Sequence, residues 1–168
     1  MQIDWYRNLS LIENRELWQC SIEQAQSDFI YASVCQRLVE SRGAFSLFFP
    51  VDPFSGFTVD PCWDSDWRGA LVCEYETPSL FGYRETYHRG NEGRPGTAIL
   101  RAYLANSETR EMLKKANSFC DWQAPMPENL AAYDWRGNLV CFSIGHEEQV
   151  WFRRGLLFED FVPSRNAR

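Results

Sequence analysis

Between residues 14 and 42 the apolar positions recur at a helical period. Trp18, Ile22, Ala25, Phe29, Ala32, Cys35 and Val39 fall at spacings of 4, 3, 4, 3, 3 and 4. That pattern predicts one helix with a single apolar stripe turned to a core. Asn14 or Ser21 can cap it, and the run from Ser21 to Gln24 has the form of a capping box. Gly43 is placed to end it. A second helix is predicted over 107–118. Asn106 or Ser107 can cap it, Glu108 and Glu111 come early, and Lys114 and Lys115 come late, as the helix dipole prefers. Met112, Ala116 and Phe119 should face inward.

The rest of the chain follows a strand grammar. Residues 44–63 are aromatic and β-prone but punctuated by Pro50, Pro53, Gly56 and Pro61, which predicts short edge strands joined by turns. Residues 70–76 read as a strand. Residues 82–97 hold four glycines and one proline and read mainly as a long loop. Residues 98–104 suit a strand or the lead-in to a helix. After the turn at 125–130, strands are predicted within 130–134, 138–144 and 149–158. No linker or low-complexity run divides the chain. These elements predict a single α+β domain over residues 1–168. In it, a mainly antiparallel sheet of short strands and hairpins packs against the N-terminal helix and the helix near 107–118.

One octet occurs nearly twice. "DWRGALVC" at 66–73 returns as "DWRGNLVC" at 134–141, with seven of eight letters shared. In each copy Asp opens a turn and Gly takes the positive φ that closes it, so both read as hairpin turns followed by a strand. After the second turn, Leu139 and Cys141 should point one way, and Val140 and Phe142 the other. Flanking residues do not match at the same offset, which favours two hairpins built alike over a repeat unit. An old duplication stays open, as does a polar site formed from Asp66, Arg68, Asp134 and Arg136.

Charge changes this picture. The chain of 168 residues carries a formal charge of −6. The deficit concentrates at 52–76, where Asp52, Asp60, Asp64, Asp66, Glu74 and Glu76 stand against Arg68 alone. Such a chain is a poor general binder of nucleic acid, whose affinity comes from cationic contacts. It suits a basic protein partner. Aromatic residues reach 15%, with seven Trp, which serves a core and a recognition surface equally. The N-terminus shows no secretory pattern and no run suits a membrane span, so a cytoplasmic protein is expected. The six cysteines are then expected to be free buried thiols rather than disulfides.

Catalytic chemistry finds little support. His88 and His146 are the two histidines, and neither C-x-x-C nor H-E-x-x-H occurs. No metal or cofactor is expected. Arg84, His88, Arg89, Arg94 and Arg101 form the one cationic stretch, a candidate for a small anionic ligand. Asp64 with Asp66, and Glu74 with Glu76, lie at i, i+2, which on a strand places each pair on one face. Both pairs lie among Phe54, Phe57, Trp63, Trp67 and Tyr75. Aromatic anchors in an acidic field are what an electrostatically steered interface needs.

In general character, small, acidic, rich in Trp and bearing thiols, the chain resembles the cytosolic immunity proteins of bacterial toxin systems. The resemblance implies a non-enzymatic protein that neutralises a cognate toxin by direct contact. Trp63, Asp64, Asp66, Trp67, Glu74 and Glu76 are the candidate contacts with a basic toxin surface. The alternative is a small enzyme or ligand-binding domain that takes an anionic molecule through the loop 84–101, with His88 or His146 as acid or base.

Overall fold

The computed structural model describes residues 16–51, 67–77, 88–89, 94–95, 97–123 and 126–155. It shows an α+β fold built on a seven-stranded antiparallel sheet. The strands are β1 (Leu17–Gln19), β2 (Ala44–Val51), β3 (Leu71–Thr77), β6 (Thr97–Leu104), β7 (Glu128–Tyr133), β8 (Leu139–Ile144) and β9 (Gln149–Arg153). Their order is β1-β9-β8-β7-β2-β6-β3. A separate two-stranded ribbon joins β4 (His88–Arg89) to β5 (Arg94–Pro95).

The single N-terminal helix expected from periodicity is three elements. Leu17–Gln19 is strand β1, and Trp18 stacks on Phe152 of β9 with ring centroids 5.5 Å apart. Ser21 does form the capping box. Its Oγ accepts from the Gln24 amide at 3.3 Å, and its own amide donates to Gln24 Oε1 at 2.9 Å. That box opens only the short helix α1 (Ile22–Ala25). A second cap, Ser27, accepts from the Ile30 amide and opens α2 (Asp28–Glu40). The second cap resets the phase. Tyr31, Val34, Cys35 and Leu38 form the buried face at i, i+3, i+4 and i+7. Ile22 and Phe29, placed on the expected stripe, are 58% and 53% exposed.

Two other expectations change. Residues 44–51 are not an edge strand: β2 lies between β6 and β7. Pro50 is tolerated because pairing with β7 ends at Phe48, so the missing amide falls where β2 has one neighbour only. The second helix, α3 (Ser107–Leu113), is shorter than 107–118. Its cap is Asn106, whose Oδ1 accepts from the Glu108 and Thr109 amides. A 3-10 turn at Phe119–Asp121 continues the chain, and Met112, Ala116 and Phe119 are buried as predicted.

The sheet has two apolar faces. On one, α2 and α3 cover Phe45, Leu47, Phe49, Tyr103, Leu130, Ala132, Cys141 and Phe152. Tyr31 locks the helices together there. Its hydroxyl donates to the Leu113 carbonyl at 2.6 Å and accepts from Trp122 Nε1 at 3.1 Å. The opposite face gathers Leu17, Ala44, Ala102, Ala131, Tyr133, Leu139 and Phe142, all buried. There Ser46 Oγ and the Tyr133 hydroxyl lie 3.4 Å apart. Among the described residues no helix is long and apolar enough to cross a membrane.

Candidate functional site

The repeated octet is solved once as a hairpin and once otherwise. In the second copy Asp134 organises a tight turn. Its Oδ1 accepts from the amides of Arg136 and Asn138 at 2.8 and 2.9 Å, and its Oδ2 from Asn138 Nδ2 at 2.8 Å. Gly137 takes φ +83°, as the sequence predicted. Trp135 is 59% exposed at the tip, and the Arg136 guanidinium lies 4.6 Å from its ring centroid. In the first copy Arg68–Ala70 form a 3-10 turn, and Gly69 is not among the glycines at positive φ. Trp67 is buried in the core, with Lys115 Nζ 5.2 Å from its ring centroid. Asp66 lies outside the described residues.

What the copies share is the strand that follows. Leu71 pairs with Tyr103 and Cys73 with Ala102, leaving Val72 as an extra residue. Leu139 pairs with Tyr133 and Cys141 with Ala132, leaving Val140 as the extra residue. Each "LVC" thus carries a β-bulge at its valine. The bulge is why Leu139 and Cys141 do not share a face as simple alternation predicts: Leu139 and Phe142 lie on one side, Val140 and Cys141 on the other. The partner strands also match, Leu-x-Ala-Tyr at 100–103 and at 130–133, and both flank β2. Tyr103 faces the helices whereas Tyr133 faces the opposite side. A half-turn about the long axis of β2 therefore exchanges β3–β6 with β8–β7. In the first unit the "LVC" strand precedes its partner in the chain, and in the second it follows. A tandem duplication would keep that order, so the likeness is one pairing solution used twice.

The predicted acidic surface is partly in view. Trp63 and Asp64 lie outside the described residues. Trp67 is a core residue, and its ring contributes to packing. Glu74 and Glu76 sit on β3, the last strand of the sheet among the described residues, opposite Arg101 and Ile99, so both occupy one face of that strand. Glu74 is exposed and holds Arg101, with Arg101 Nε donating to Glu74 Oε2 at 2.7 Å. The Arg101 guanidinium also lies 4.7 Å from the Phe49 ring centroid. Sequence reasoning placed Glu74 in an acidic site and Arg101 in a cationic one. The register of β3 on β6 joins them.

Of the cationic stretch, Arg84 lies outside the described residues. His88 and Arg89 lie on β4, and Arg94 on β5. The ribbon pairs His88 with Pro95 and Arg89 with Arg94. Nothing in the sequence beyond its turn residues marked this ribbon.

Nucleophilic chemistry is disfavoured at the described thiols. Cys20, Cys35, Cys73, Cys120 and Cys141 are free, and all but Cys73 are buried. Burial pushes the Cys20 thiol up to about 11 and Cys35 up to about 12. It raises Cys141 further, and raises Cys73 and Cys120 as well. A thiol so shifted stays protonated at neutral pH and is a poor nucleophile or metal ligand. Among the described residues no group of His, Cys, Asp and Glu has the geometry to hold a metal ion. A cleft of about 420 Å³ runs between α2 and α3, with Phe29, Ala32, Cys35, Arg110, Leu113 and Ala116 in its walls. Its walls are mainly apolar, and Asp28, Arg110 and Lys114 give its lip charges of both signs.

No family model, curated protein or solved structure matches this chain.

Proposed function

We propose that this chain is a non-enzymatic binding protein, an immunity protein that neutralises a cognate basic toxin by direct contact through its acidic, aromatic-rich segment. The observation that carries the reading is the place of β3. Among the described residues this strand ends the sheet, and it brings the acidic positions 74 and 76 to one face of its edge, where the exposed Glu74 also holds Arg101. Acidic side chains on an edge strand discourage indiscriminate strand pairing and attract a cationic surface. The raised thiols support a binding role over nucleophilic catalysis.

The test is affinity capture of the tagged chain from its host lysate, beside an Asp64→Lys/Asp66→Lys variant. The expected result is one stoichiometric basic partner that survives high-salt washing from the parent chain and is lost from the variant. Equal capture by both removes segment 52–76 as the contact. Recovery of the chain alone counts against the reading.

A second reading has one observation in its favour. The ribbon register sets Arg89 opposite Arg94. Two cationic residues at paired positions suit a small anionic ligand. A rise in melting temperature on titration with phosphosugars or nucleotides is the expected sign of a small anionic ligand.

A further inference from the structure

The fold sorts charge along the strands, which the linear sequence does not reveal. β2, β3 and β8 run parallel to one another, and β6, β7 and β9 run against them. The connections entering β2, β3 and β8 therefore meet at one end of the sheet. That end carries Arg42, Arg68 and Arg136, all exposed. It also carries three of the five exposed large apolar side chains among the described residues: Leu71 at 36%, Leu104 at 41% and Trp135 at 59%. The opposite end carries Glu76, Glu128, Glu147 and Glu148. A chain with net charge −6 thus has a basic, apolar rim.

The rim is pre-organised. Arg42 takes left-handed backbone, φ +53°, at the exit of α2, which turns the chain sharply into β2. Trp135 and Arg136 sit on the turn that Asp134 holds by three hydrogen bonds, and all three end on that one carboxylate, which engages it within the turn. Glu40 is engaged by Arg37 and Gln36, which leaves Glu108 as the exposed carboxylate beside the rim among the described residues. Two further arginines reach this end but are committed: Arg153 lies 3.7 Å from Glu16, and Arg154 Nε donates to the Leu17 carbonyl. From β8 to β3 the rim crosses four strand spacings, about 19 Å. That width suits the core of a protein interface. Exposed Trp and Arg on a rigid turn are the residue types in which binding hot spots are enriched.

We infer that this rim, which takes Arg68 and Leu71 from segment 52–76 but none of that segment's acidic residues, is a second docking surface, and that its partner is an acidic protein surface with an apolar recess for Trp135. Charge complementarity selects an acidic partner. Leu71 and Leu104 among the arginines favour a protein over a nucleic acid, whose backbone offers them no apolar contact.

The test is photocrosslinking in host cells, using the full chain with benzoylphenylalanine at position 135 and, as control, at position 29. The expected result is a covalent adduct from position 135 with one protein, through a peptide rich in Asp and Glu, and none with that protein from position 29. The adduct should fall at least tenfold in Arg42→Glu/Arg68→Glu/Arg136→Glu and persist in the matching triple change to Lys, which keeps the charge and controls for folding. It should also persist in Asp64→Lys/Asp66→Lys, so that failure of the toxin reading leaves this one standing. The inference is overturned by an adduct indifferent to charge reversal. An adduct with nucleic acid, with a second copy of the chain or through a basic peptide overturns it too, as does the absence of any adduct.

Discussion

Cys73 and Cys141 occupy equivalent places on either side of the central strand and face opposite sides of the sheet. Each follows a bulged valine, and each lies across from an alanine, Ala102 or Ala132. Cys141 is fully buried beneath the helices, while Cys73 is only partly buried on an outer strand. Equivalent sequence has been given unequal chemistry by position. Iodoacetamide at pH 8 should therefore label Cys73 well before Cys35 or Cys141 in the native protein. Peptide mapping over time checks this, and equal labelling of the three would contradict the burial order.

The same thiols set an alkaline limit on stability. Cys20, raised to about 11, and Cys35, raised to about 12, stay protonated in the folded chain where the unfolded chain ionises near 8.5. The unfolded state then binds fewer protons, so stability falls as pH rises. Stability should be level with respect to these groups below about pH 8, then decline between about pH 8.5 and 12, at up to about 1.4 kcal/mol per pH unit for each thiol. Urea midpoints measured from pH 7 to pH 10.5 test this. Replacing Cys35 by Ala should flatten the decline whatever it does to the neutral value.

The turn at 134–138 should be sensitive where its near-copy is not. Asp134→Ala removes the acceptor of three hydrogen bonds and should cost about 1–3 kcal/mol. Gly137→Ala forces a side chain into φ +83° and should cost about 1 kcal/mol. Gly69→Ala meets open space and lies outside the positive-φ set, so it should be near neutral. Chemical denaturation of the three variants separates them, and equal costs at Gly69 and Gly137 would contradict the two conformations.

The phase of α2 makes a paired prediction. Tyr31→Phe deletes the hydroxyl that joins Leu113 to Trp122 and should cost about 1–3 kcal/mol. Phe29→Ser alters a half-exposed side chain and should cost less. The reverse ranking would restore the face drawn by the sequence pattern.

Gly145 should tolerate no side chain. A Cβ there would meet the Trp122 carbonyl, and the Gly145 amide is held by Asn129 Oδ1 at 3.1 Å. Asn129 is itself buried at φ +56°, and its Nδ2 has no hydrogen-bond partner among the described residues. Gly145→Ala should cost several kcal/mol by displacing backbone rather than a movable side chain. Hydrogen exchange localised to 119–123 and 128–130 would report that displacement.

Local chemistry was legible in the chain itself. Capping at Ser21 and Asn106, the inward Met112, Ala116 and Phe119, the Asp134 turn and the α+β class all follow from side chains acting on neighbours a few residues away. The phase of α2 did not follow, because Ser27 offered a second cap and only contact with the sheet chose between two apolar stripes. Nor did the central place of β2: its prolines argued for an edge, and whether Pro50 lacks a partner depends on where β7 ends. The two "LVC" bulges, the pairing of Glu74 with Arg101 and the gathering of Arg42, Arg68 and Arg136 at one rim all depend on strand order and register. Those are set by which apolar faces bury together, Leu17 pairing as far along the chain as Arg153, and no local spacing encodes them.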